Sequence, residues 1–171
     1  MFARVKRTDL PKGSLLWTLV GSSDFLDCYT VPSNLSPRVA AGVAFAFPAW
    51  VKALLVARNV LVRPFGLKQG DSGDDRVTIF PVTAETADEI VMGFDDSHLD
   101  FRVAMRREDG QAYVSTWVHP HNWLGRLYLI VVTPFHIVIM RSAMARVARN
   151  AQLEAGADTQ VSGDGASGSD Q

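Results

Sequence analysis

Two periodicities divide the chain. From Leu99 to Arg106, apolar Leu99, Phe101, Val103 and Met105 take turns with Asp100, Arg102 and Arg106, the period of two that gives a strand unlike faces. Phe25–Val31, Arg76–Val82, Glu89–Phe94 and Ala112–Val118 read as further strands. The last four strands are separated only by the turn signals ETAD, DDSH and EDG, so they predict an antiparallel meander.

Helical spacing takes over elsewhere. Ser36 before Pro37 is a good helix start, because proline in a first turn lacks only an amide that would be free anyway; that helix extends to about Phe45. Pro48 opens a second helix, in which Trp50, Val51, Leu54, Leu55, Leu61 and Val62 form an apolar stripe and which Pro64 and Gly66 end. The longest apolar run lies in the stretch His119–Asn150, read as a long C-terminal helix with Asn122 as N-cap and a kink at Pro134. Past Met140 it becomes amphipathic, with Ala143, Met144 and Val147 facing inward and Arg141, Arg146 and Arg149 facing water. A membrane span needs about 20 apolar residues. This run is bounded by Arg126 and Arg141 and is too short, so the expectation is a buried helix without a transmembrane segment, with peripheral membrane contact as the alternative.

The fold class that follows is α+β: an antiparallel meander packed on a long C-terminal helix, with two helices inserted after the first strand. This is a helix-grip-like order, and any gap between helix and sheet becomes an apolar pocket. Residues 1–24 are expected as an irregular leader in which Leu15, Leu16, Trp17 and Leu19 pack onto the domain, and residues 25–150 as the domain itself. Residues 151–171, rich in glycine, serine and acids, are expected as a disordered tail.

Composition refines this picture only modestly. At 171 residues, 47% hydrophobic and 20% charged, the chain can bury one sizeable core. The net charge of −1 combines a slightly basic body with an acidic tail, and nothing argues for nucleic acid. The lone Cys28 allows no internal disulfide and fits no zinc spacing, and no apolar segment follows the basic N-terminus; a cytoplasmic protein is expected. The KQGDSGDD stretch lacks the ligand spacing of a calcium loop and reads as a surface turn.

Candidate chemistry gathers late in the chain. Asp100 and Arg102 share a strand face and, with His98, bring acid, base and cation within reach, either as a general base with a cationic anchor or as a solvated salt bridge. Trp117 and His119 alternate on the next strand, and the HPHN corner joins His119, His121 and Asn122 where strand meets helix. Two histidines without a firm third ligand predict no metal site. Trp123 and Arg126 open the closing helix, where Arg126 could reach Asp100 or Asp95. His136 is either a polar group inside a pocket or a donor to a carbonyl freed by Pro134.

The segments PAWVKALLVARNVLVRPFGLK, FPV, DEIVMGFDDSHLDFRV and HNWLGRLYLIVVTPFHIVIMRSAM, in that order, resemble the domain of unknown function 2867 family. The resemblance covers roughly residues 10–149. It implies a bacterial protein related to the START-like, or SRPBCC-like, helix-grip proteins that bind lipids and other apolar molecules, and a functional link to short-chain-dehydrogenase-like partners. The one G-x-G-x-x-G match, GDGASG at residues 163–168, falls in the expected tail and not between a strand and a helix, so neither NAD nor another cofactor is expected. The function expected is binding of a small apolar or amphipathic molecule in a hydrophobic pocket between sheet and helix. The alternatives are a cyclase, isomerase or hydrolase on the same scaffold, and a protein- or membrane-surface interaction module.

Overall fold

The computed structural model describes residues 4–49, 76–77, 80–96 and 98–164, with side chains described as far as Gly156. The second helix expected from Pro48 and the KQGDSGDD turn lie almost wholly outside the described residues.

Among the described residues, seven strands form one antiparallel sheet: β1 (Lys6–Arg7), β2 (Phe25–Pro32), β3 (Arg76–Val77), β4 (Phe80–Glu85), β5 (Glu89–Asp95), β6 (Leu99–Glu108) and β7 (Gln111–Pro120). Their order across the sheet is β1-β2-β7-β6-β5-β4-β3. The expected meander is therefore present from β3 to β7. The turn between β6 and β7 shows why: Asp109 and Gly110 both take positive φ, 50° and 71°, the combination that matches a two-residue hairpin loop to strand twist. The stretch read as one strand from Arg76 to Val82 instead divides into β3 and β4, which pair with each other through Arg76↔Pro81 and Val77↔Phe80.

Helix α1 (Pro37–Ala44) has Pro37 at its start, and the Ser36 hydroxyl accepts from the Val39 amide as its cap. Helix α2 (Trp123–Asp164) begins as expected, the Asn122 side chain accepting from the Gly125 amide at 3.0 Å. It runs unbroken through Pro134, which is exposed. The helix also continues to Asp164, well past Asn150 and into the stretch whose composition suggested disorder.

Alternation along the strands gives the sheet two covered faces. Tyr29, Val31, Met92, Val103, Met105 and Val114 meet α1 and the second half of α2, where Met144 and Val147 are fully buried. On the other face Val91, Ala104 and Trp117 pack against Leu10 and Leu16. The first 24 residues are thus more than a leader. They supply edge strand β1, paired through Lys6↔Thr30 and Arg7↔Tyr29, and a 3-10 turn at Leu15–Thr18 that closes the far side of the sheet.

That closure is polar as well as apolar. Glu89 is fully buried and accepts from the Ser14 hydroxyl at 2.6 Å, the Leu15 amide at 2.8 Å and Arg106 Nη1 at 3.3 Å. Arg106 also donates to the Gly13 carbonyl at 3.1 Å. A carboxylate removed from water is tolerable only with such a set of donors. Arg146, expected to face water, is instead half-buried and donates to the Val43 and Ala44 carbonyls at the end of α1. A cation there satisfies carbonyls left free by the helix end and complements its dipole.

Candidate functional site

The polar residues singled out from the sequence fall on opposite faces of the sheet. Register decides this: Phe25, Asp27 and Tyr29 of β2 stand opposite Val118, Thr116 and Val114 of β7 and belong to the α2 side. Asp100 and Arg102 of β6 stand opposite His119 and Trp117 and belong to the other side. His136 of α2 therefore cannot meet Asp100, Arg102, His119 or His121, and the candidates form two separate groups.

On the far face the carboxylates and imidazoles pair off. His121 Nε2 lies 3.0 Å from Asp100 Oδ1, and His119 Nδ1 lies 2.6 Å from Asp24 Oδ1. The two imidazoles meet edge to face at 5.3 Å. Asp24, just before β2, was not among the sequence candidates. It also accepts from Trp117 Nε1 at 2.8 Å and from the Gly21 amide at 2.7 Å. Burial opposes ionisation of Asp24, but the hydrogen bonds from His119, Gly21 and Trp117 and the charge on His119 outweigh it and hold the carboxyl below its ordinary value. Arg102 turns to Asp95 Oδ1 at 2.7 Å and to the Phe101 carbonyl at 2.9 Å. With Asp95 and Asp100 so engaged, Arg126 is left exposed and unpaired among the described residues. No group of three possible metal ligands occurs among the described residues.

On the α2 face the arrangement is tighter. Asp27 is 5% exposed in the middle of a largely apolar layer, opposite the buried Thr116. His136 Nε2 approaches both of its oxygens, at 3.1 and 3.2 Å, and does not turn to a backbone carbonyl near Pro134. Tyr29, two residues along β2, lies close enough to the same carboxylate to be affected by it. Burial first, and then the charge of Asp27, push the Tyr29 hydroxyl above its usual value, with Arg7 and Arg141 working against them. Phe25 packs edge-on against the His136 ring at 5.8 Å. Neither Asp27 nor Tyr29 was singled out from the sequence; within FLDCYTV the period of two could have flagged an acid on the apolar face of a strand.

Farther along the same face, half-buried Phe94, Phe101 and Phe80 follow one another at 5.7 and 5.5 Å, and Phe80 meets Phe45 at 5.6 Å. α2 lies over β2 and β7, and α1 over β5 and β6. From Tyr128 to Ile139 the inward side of α2, including Val132 and His136, is only half-buried, whereas Met140, Ala143 and Met144 are buried. The chain thus grips its sheet tightly at one end of this layer and more loosely at the other. An open, charged cleft of about 540 Å3 lies elsewhere, at the β6–β7 turn, lined by residues such as Asn34, Asp88, Arg107 and Asp109.

Cys28, on the far face, is buried and its thiol is pushed up to about 11. Burial is the main cause, the charges of Asp27 and Asp9 add to it, and the hydrogen bond from the Ser115 hydroxyl works the other way. Such a thiol is a packing group at neutral pH.

The DUF2867 family model, described as a protein of unknown function, matches residues 19–143. No curated protein and no solved structure matches the chain.

Proposed function

From the premise that this chain belongs to the DUF2867 family, we propose that it binds a small amphipathic molecule between the α2 face of the sheet and the loosely gripped half of α2. The observation that carries this reading is the Asp27–His136 pair. A buried carboxylate held by an imidazole is costly to keep in a largely apolar layer, and half-buried phenylalanines lie farther along the same face. A ligand with a polar end would meet the His136–Asp27–Tyr29 group, and its apolar body would lie along Phe101, Phe94 and Phe80. The far-face residues offer less to a substrate. Their imidazoles are already paired with Asp24 and Asp100, and Arg102 is turned to Asp95, so a catalytic reading based on Asp100, Arg102, His119 and His121 gains no support from their arrangement.

Mass spectrometry under native conditions, applied to the freshly purified protein, tests the proposal. A bound small molecule that is retained by wild type and lost in Phe101→Ala or His136→Ala, both still folded by circular dichroism, is the expected result. If wild type carries nothing and a fluorescent apolar probe such as anilinonaphthalene sulfonate binds both variants as it binds wild type, the proposal is overturned.

A further inference from the structure

The apolar run of the C-terminal helix was expected to be buried, but one whole side of it is not. Trp123, Leu127, Ile130, Val131, Phe135 and Val138 are 49–74% exposed in that segment, Trp123 at 74% and Ile130 at 72%. Their spacing of four, three, one, four and three residues places them on one face of α2. The face is continuous over about 23 Å, at 1.5 Å per residue. Arg126 and Arg141 flank the strip at its two ends, one turn from Ile130 and from Val138, and both are exposed and without an ion pair among the described residues. An apolar strip this long on open surface marks a docking site.

We propose that this strip docks the protein onto the surface of an anionic lipid bilayer, with α2 lying in the plane of the interface. Charge selects the occupant. Between Asp109 and Glu154 the chain has no acidic residue, so nothing along the strip could pair with Arg126 or Arg141 of a second copy. An antiparallel pairing of two such helices brings Arg126 of one against Arg141 of the other, and a parallel pairing stacks like on like. Lipid phosphates supply the missing anions, and acyl chains cover the apolar side chains between them, with Trp123 at the headgroup level.

The helix is long and apolar enough to cross a membrane by length and composition, with only 17% of its most apolar window buried. Its attachment to the sheet argues for lying flat instead. The inward side of the same segment holds His136 on Asp27, and the following turns place Met144 and Val147 in the core. The uncharged run between the two arginines spans about 21 Å, against roughly 30 Å of hydrocarbon. This inference stands apart from the ligand proposal, since it concerns the opposite side of the helix.

Co-sedimentation of the full chain with phosphatidylcholine vesicles, with and without phosphatidylglycerol, tests it, together with Ile130→Glu/Phe135→Glu and Arg126→Glu/Arg141→Glu variants. Binding at least tenfold stronger to the anionic vesicles, lost in both variants while their thermal unfolding matches wild type, is the expected result. Three outcomes overturn the proposal: no vesicle binding by wild type, resistance of the bound protein to alkaline carbonate extraction, or a wild-type dimer in sedimentation velocity that the Ile130→Glu/Phe135→Glu variant makes monomeric.

Discussion

His136 Nε2 stands 3.1 Å from one oxygen of Asp27 and 3.2 Å from the other, so a single imidazole on α2 serves a carboxylate buried on β2. This contact ties the loosely gripped half of the helix to the sheet, while the rest of α2 is held by methionine, alanine and valine packing. Removing the imidazole leaves a buried acceptor short of a donor, at a cost of about 1–3 kcal/mol. His136→Ala is expected to lose that much in urea denaturation. A cycle with Asp27→Asn and the double variant should show a coupling of about 0.5–3 kcal/mol. Strict additivity would mean that the contact contributes nothing.

Asp24 predicts an acid-limb effect. Its folded carboxyl binds a proton less readily than the unfolded one, because the hydrogen bonds of His119, Gly21 and Trp117 outweigh burial. The stability it contributes is therefore complete above the unfolded value of about 3.9 and is lost as the pH falls through the lower, folded value. Urea titrations between pH 6 and pH 3 should show a shallower acid decline for Asp24→Asn than for wild type. Parallel declines would exclude Asp24 as a source.

Glycines divide by what surrounds them. A Cβ on Gly93, whose φ is +155°, would stand 2.0 Å from the Phe101 carbonyl oxygen, and one on Gly125 would stand 2.4 Å from that of His98. Gly42, inside α1, has nothing within 4 Å. Gly93→Ala is expected to destabilise by about 2 kcal/mol or more, through strain and overpacking. Gly125→Ala should do the same by pushing the first turn of α2 away from the turn before β6. Gly42→Ala should stabilise by about 0.5–1 kcal/mol, the helical preference of alanine over glycine. Thermal melts of the three variants read the opposite signs directly.

Glu89 anchors the N-terminal segment, so its removal should loosen that segment before the rest. Glu89→Ala leaves Ser14, the Leu15 amide and one contact of Arg106 without their acceptor, and breaking a buried ion pair costs about 3–5 kcal/mol. Limited proteolysis should then cut within residues 8–24 while the β4–β7 meander stays protected. Unchanged cleavage would mean that the apolar contacts of Leu10 and Leu16 hold the segment alone.

The α+β class, the meander with its turns, the Ser36 and Asn122 caps and the long closing helix were all legible in the sequence. Each rests on a signal within a few residues: alternation at Leu99–Arg106, Asp109–Gly110 in a hairpin turn, proline in the first turn of α1. Only tertiary structure decided which faces those elements turn to one another. Strand register put Asp27 and His136 on one side of the sheet and Asp100, Arg102, His119 and His121 on the other, so candidates that look like one cluster along the chain became two. Folding also made residues 1–24 a working cover, drew Arg146 onto the end of α1 and left one side of the most apolar helix uncovered. The reason is physical: periodicity reports that a face is apolar, whereas what covers the face depends on residues far away in sequence.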